Sequence, residues 1–140
     1  MIDEIYNKDV LRLAANISKT EPLVAPDAHV SMRSPLCGSS IEVYLQVKGG
    51  RVTDYGYTIK ACALGQSSAS VLTANVIGKN ANDIQSVRDK LAVMLTSDGE
   101  SPDGLWSELS ALQPAKDAKS RHGAILMPFD AVLKGFTKLE

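Results

Sequence analysis

The chain has 140 residues, 44% hydrophobic and 22% charged, with a formal net charge of −1. A chain of that length makes one compact domain and buries about two-thirds of its unfolded surface, enough for a core without disulfide staples. The near-neutral charge, with two Phe, four Tyr and one Trp, gives no basis for binding nucleic acid or an anionic membrane.

No stretch approaches the roughly 20 apolar residues that cross a bilayer. The N-terminus, Met1-Ile2-Asp3-Glu4, is acidic and has no basic stretch followed by an apolar run, so a cytoplasmic protein is expected. In that compartment two cysteines are reduced thiols or metal ligands rather than a structural disulfide.

In chain order, apolar residues at Ile5, Val10, Leu11 and Leu13 predict an amphipathic helix over Asp3–Ala15. Thr20–Asp27, with two prolines, reads as a loop. Ala28–Arg33 and Ile41–Val47 follow, the second alternating Ile41, Val43, Leu45 and Val47 with Glu42, Tyr44 and Gln46, the period of a half-buried strand. Gly49-Gly50 then links it to an extended run over Arg51–Ile59, a hairpin signal. From Cys62 the period becomes helical and ends near Gly78. Asn80 or Asn82 caps a further helix through Leu95. Ser97–Gly104 is a polar loop, Leu105–Leu112 a short helix, and Pro114 opens a last helix to about Lys134, with Pro128 expected to kink or split it. Strands first and helices after predict an α+β fold: three antiparallel strands packed by four to five helices, one domain over residues 1–140.

Two places carry thiol chemistry. Ser34-Pro35-Leu36-Cys37-Gly38-Ser39 is a tight loop before the second strand, where backbone N–H groups near sulfur favour a thiolate. Lys60-Ala61-Cys62 stands where the third strand passes into a helix, and a thiol there faces the positive end of the helix dipole. The competing reading of either cysteine is a small buried hydrophobe. Both stand at element boundaries beside Gly, Pro or Lys, which weakens that reading. Their 24-residue separation is not specific by itself. The Ser67, Ser68, Ser70 and Thr73 run reads as a small-residue packing face, and Asp98, Glu100 and Asp103 as a solvated acidic loop.

The loop Ser34–Gly38, the hairpin, Lys60-Ala61-Cys62 and the small-residue run Gly65–Ser70 together resemble the iron–sulfur cluster assembly scaffolds of the IscU, NifU N-terminal and SufU type. The spacing, with its long segment before the last helix, is closest to the SufU branch. That resemblance implies a scaffold or carrier rather than an enzyme. Cys37 and Cys62 would hold a transient cluster, [2Fe–2S] by family habit, or persulfide sulfur, with zinc as the alternative cargo. Cys62 is the expected persulfide acceptor. A cysteine desulfurase and recipient apo iron–sulfur proteins are the implied partners.

The sequence departs from the family at two ligand positions. The aspartate two residues after the first cysteine is Ser39, and the third cysteine aligns with Gly123. His122 coincides with a histidine of the IscU form and becomes the third candidate ligand; its other reading is a solvated histidine beside Arg121. The family's chaperone-docking motif is replaced by Lys116-Asp117-Ala118-Lys119-Ser120. One chain thus offers two sulfurs and one imidazole, and a partner or a second copy of the chain would complete the set. The second reading is a degenerate binding module that docks on a desulfurase without building clusters.

Overall fold

The computed structural model describes residues 5–18, 20–34, 36, 38–97 and 99–139. The predicted alternation becomes three antiparallel strands, β1 (Ala28–Arg33), β2 (Ser40–Lys48) and β3 (Arg51–Lys60), in the order β1-β2-β3. Ile41, Val43 and Leu45 of β2 are buried, and their alternating partners are half-buried on the opposite face. Gly49 and Gly50 make the hairpin at φ 60° and 76°, the left-handed region that a two-residue turn demands. On the outer face His29 stacks on Tyr44 with ring centroids 4.4 Å apart, and its Nε2 lies 2.9 Å from Glu42 Oε1. The segment before β1 crosses that face at Gly56, where the Glu21 carbonyl and Leu23 occupy the space of a side chain.

Four α-helices and a 3-10 region pack around the sheet among the described residues. The first, α1, spans Lys8–Ala15, and Asn7 caps it by accepting the Val10 N–H at 2.9 Å. Its predicted start at Asp3 lies outside the described residues. The second, α2 (Ala63–Asn75), buries the small face that its sequence advertised. Ser67 Oγ donates to the Val10 carbonyl at 2.6 Å and Ser68 Oγ to the Ile125 carbonyl at 2.5 Å, so hydroxyls join this helix to its neighbours. The third, α3 (Ala81–Thr96), opens with a reciprocal capping box between Asn80 and Asp83, which selects Asn80 over Asn82.

The C-terminal third differs from the sequence reading. Residues Gly104–Asp117 and Lys119–Arg121 form 3-10 turns, and the last helix, α4, spans His122–Lys138. Leu109, Leu112 and Ala115 are buried at intervals of three residues, the repeat of a 3-10 rather than an α-helix. Pro114 therefore falls inside the 3-10 run instead of opening the last helix. Pro128 does not divide α4. A proline there withdraws the N–H that Ala124 O would accept. Gly65 brings the α2 backbone up to that carbonyl, a Cβ at Gly65 lying 3.3 Å from it, while Ser68 occupies the next carbonyl. Arg88 Nε to Asp130 Oδ1, at 2.8 Å, ties α3 to α4.

Candidate functional site

The strand register brings three chain segments to one end of the sheet. Arg33 pairs with Ser40 and Ser40 with Lys60, so all three strands end level. The β1–β2 connection is closed by two backbone bonds, Ser34 N–H to Ser39 O at 2.8 Å and Gly38 N–H to Ser34 O at 2.9 Å. Ser34 and Ser39 are buried, whereas Leu36 is 77% exposed. Cys37, the first expected ligand, lies outside the described residues, as does Pro35.

Two residues beyond Lys60, Cys62 forms the N-cap of α2. Its backbone is extended (φ −66°, ψ 172°), and its carbonyl accepts the Gln66 N–H at 3.0 Å. Gln66 Nε2 donates to the Ala61 carbonyl at 2.9 Å and braces the junction. The thiol itself makes no capping bond, although this is a position where a side-chain oxygen ordinarily satisfies one of the helix's first N–H groups. It is half-buried against the core edge.

The first turn of α4 supplies the third segment. A Cβ built on Gly123 would stand 2.6 Å from Ser34 Oγ and 3.5 Å from Ser34 Cβ, so this helix start lies directly on the cysteine loop. One residue on, Ala124 meets Gly65 of α2, one turn beyond Cys62. The segments holding Ser34–Ser39, Cys62 and Gly123 are thus neighbours. Gly123, where the resemblance aligns a third thiol, faces Ser34 of that loop.

His122 opens α4, and its Nε2 lies 3.0 Å from the Ala115 carbonyl. A carbonyl only accepts, so Nε2 carries the proton and the lone pair of the neutral ring is on Nδ1. Histidine ligands are commonly oriented by such a second bond to a carbonyl. His122 also borders a cleft with Leu95, Thr96, Lys116, Asp117 and Lys119, a lining that does not include Cys62. Among the described residues no group of three or more His, Cys, Asp or Glu side chains stands close enough together to hold a metal ion. Soft sulfur and imidazole donors suit zinc and iron. The described part of the chain by itself supplies less than a tetrahedral set.

Arg33 and Lys60 are exposed at this end, and Arg121 precedes α4. Glu100 and Asp103 of the acidic loop are exposed, and Asp98 lies outside the described residues. Sequence reasoning passed over Ser34, because a serine beside the thiol loop carries no local sign that a helix ninety residues later will close on its hydroxyl.

The NifU-like N-terminal domain family model matches residues 5–103. A curated relative, the iron–sulfur cluster assembly scaffold protein IscU of Thermotoga maritima, is 26% identical over 104 residues, 74% of this chain and 72% of that protein. The zinc-dependent sulfurtransferase SufU of Bacillus subtilis is 24% identical over 139 residues, covering 99% of this chain and 94% of the relative. Among solved structures, a nitrogen-fixing NifU-like protein (N-terminal) from Brucella abortus superposes with a TM-score of 0.95 at 41% identity, covering 99% of this chain and 96% of that one. A putative SUF-system scaffold from Fervidobacterium islandicum gives a TM-score of 0.84 at 16% identity, covering 94% and 96%, a likeness of fold.

Proposed function

This chain belongs to the NifU-like N-terminal domain family, whose members are iron–sulfur cluster assembly scaffolds, and we propose that it holds a transient cluster or persulfide sulfur on Cys37 and Cys62 with His122 assisting. The observation that carries the reading is Cys62: a half-buried thiol at the N-terminus of a 13-residue helix, making no capping bond, beside the loop that contains Cys37. A thiol, as its thiolate, is the group that attacks a persulfide and binds soft metals. Cys62 is therefore the sulfur acceptor, with a cysteine desulfurase as donor and apo iron–sulfur proteins as recipients. The protein turns over no substrate of its own. A reducing cytoplasm keeps both thiols available.

His122 joins through Nδ1, the atom that its bond to the Ala115 carbonyl leaves with the lone pair. The cargo is either a [2Fe–2S] unit or zinc; the zinc option draws support from the relative named as zinc-dependent. A fourth donor comes from a small thiol, a partner or a second copy of the chain.

The second reading, a module that docks on the desulfurase without carrying cargo, is favoured by Ser39 and Gly123. A neutral hydroxyl and a missing side chain stand where the family's pattern has ligands. Anaerobic reconstitution with iron, a sulfide source and a desulfurase separates the two. Visible absorbance and bound iron that are lost in both Cys37→Ala and Cys62→Ala support the scaffold. Desulfurase binding with no iron, no zinc and no persulfide supports the module.

A further inference from the structure

The passage from β3 into α2 is two residues long. The strand ladder ends at Lys60, opposite Ser40, and α2 begins at Ala63, so Ala61 and Cys62 lie between two fixed elements. Gln66 holds both of their carbonyls. Its backbone N–H donates to Cys62 O at 3.0 Å, and its side-chain Nε2 donates to Ala61 O at 2.9 Å. The first is the ordinary opening bond of a helix. The second reaches back five residues and exists because a long amide stands at this position. Ala61 in turn lies against Gly65, where an added Cβ would meet its methyl at 2.8 Å. The junction is folded down onto the first turn of α2.

Gln66 stands apart in its own segment. It is the one long side chain in Gly65–Ser70, whose other members are small and buried. Gln66 is half-buried, and a carbonyl only accepts, so its amide nitrogen is the atom facing Ala61. What this bond fixes is direction. Without it the Ala61–Cys62 peptide keeps the bond at Cys62 O and can turn, carrying the Cys62 Cα–Cβ bond with it. Direction matters to sulfur transfer. The Cys62 thiolate bonds to the terminal sulfur of a donor persulfide while the donor's S–S bond breaks; the donor leaves as a thiolate, and Cys62 carries the persulfide with its proton. No oxidant or reductant is consumed. Attacking, transferred and leaving sulfurs must lie nearly in line, and a misplacement of about 1 Å costs up to about a hundredfold in rate.

We propose that Gln66 is a positioning residue for sulfur transfer. Its amide fixes the Ala61–Cys62 peptide, and through it the line along which the Cys62 thiolate meets a persulfide held by a donor protein. The proposal rests on the reading of Cys62 as sulfur acceptor.

The test follows single-turnover sulfur transfer from a persulfide-loaded cysteine desulfurase, with the persulfide on Cys62 read by mass spectrometry. Wild type is compared with Gln66→Met, Gln66→Asn and Gln66→Glu. Asn75→Ala, which removes a side-chain bond to the Val71 carbonyl (3.0 Å) at the far end of α2, is the control. Methionine keeps the length and helix propensity of glutamine and loses the donor; asparagine keeps the amide but is one methylene too short. The plateau rate should fall about tenfold in Gln66→Met and Gln66→Asn, and further in Gln66→Glu, whose carboxylate repels the carbonyl. The desulfurase concentration giving half the plateau rate should stay that of wild type. So should alkylation of Cys62 by iodoacetamide, a free reagent that approaches the thiol from any side. Asn75→Ala should lower the urea midpoint as Gln66→Met does, yet transfer at the wild-type rate. Wild-type plateau rates in all three Gln66 variants overturn the positioning role and leave Cys62 as acceptor. Alkylation that falls in step with transfer also overturns it, because the amide then governs access to the thiol rather than its aim. A wild type that alkylates at Cys62 but never carries persulfide there overturns the acceptor reading, and the role of Gln66 with it.

Discussion

Restoring the family's third thiol by Gly123→Cys is expected to destabilise this protein, and the reason is Ser34. The new Cβ would lie 2.6 Å from Ser34 Oγ, closer than such atoms approach, but 3.5 Å from Ser34 Cβ, an ordinary contact. The backbone of Ser34 is pinned by its N–H to Ser39 and by its carbonyl to Gly38, and the residue is 5% exposed, so the hydroxyl alone can move. Overpacking of this kind costs about 1–3 kcal/mol, and replacing glycine in a helix returns about 0.5 kcal/mol. The net loss is about 1–2 kcal/mol with Ser34 present. In a Ser34→Ala background the 3.5 Å neighbour alone remains among the described residues, and Gly123→Cys should be neutral or slightly stabilising. Urea denaturation of wild type, both single variants and the double variant measures the coupling, expected at about 1–2 kcal/mol. Zinc affinity on the same four proteins shows whether the thiol enters a ligand set once it fits. Equal destabilisation in both backgrounds, with coupling below about 0.5 kcal/mol, would refute the packing of Gly123 on Ser34.

Cys62→Ser places a better capping atom at the N-terminus of α2 and should raise stability by about 0.5–1 kcal/mol, while a persulfide assay on the same protein reads zero. A chain that stiffens and loses sulfur acceptance together has kept the cysteine for its chemistry. Gly56→Ala puts a methyl against the Glu21 carbonyl and should cost about 1–3 kcal/mol, read out as faster proteolysis within residues 20–27 than within the strands. At alkaline pH the fold should weaken through Tyr55 and Tyr57, both fully buried with hydroxyls that find no hydrogen-bond partner among the described residues. Burial pushes both phenols upward from 10, with Tyr57 adding to the rise at Tyr55 and nearby Thr73 offsetting part of it. The native state then keeps protons that the unfolded chain releases. Stability is whole below about pH 10 and falls as pH rises above it, while the native state holds phenol protons that the unfolded chain has released. Urea midpoints across pH 9–11 check this, and Tyr57→Phe should make the fall shallower.

How much of this was written in the sequence differs by element. The strand period of Ile41–Val47, the Gly49-Gly50 turn and the Asn80 cap are local signals, set by side-chain alternation, φ preference and one hydrogen-bonding side chain. They place β2, β3 and α3 without reference to the rest of the chain. The 3-10 run was legible only in part. Its buried Leu109, Leu112 and Ala115 repeat every three residues, but Pro114, a good opener of an α-helix, pointed elsewhere. The resemblance carried Cys37, Cys62 and His122 as residue types, and the level strand ends of β1, β2 and β3 explain why the loop and the Cys62 junction meet.

The sequence by itself thus determined the thiol at a strand-to-helix junction and the substitutions Ser39 and Gly123. Tertiary structure decided the rest: that α4 begins at His122, that it runs unbroken through Pro128, and that Gly123 closes on Ser34. The first depends on a carbonyl seven residues back and the other two on partners far away in the chain. Ala115 holds His122, Gly65 and Ser68 meet the α4 backbone around the carbonyl that Pro128 leaves open, and Ser34 fills the space that Gly123 vacates. Local propensity cannot report a contact whose other half lies some sixty or ninety residues away, because burial and close approach exist only once the helices have packed.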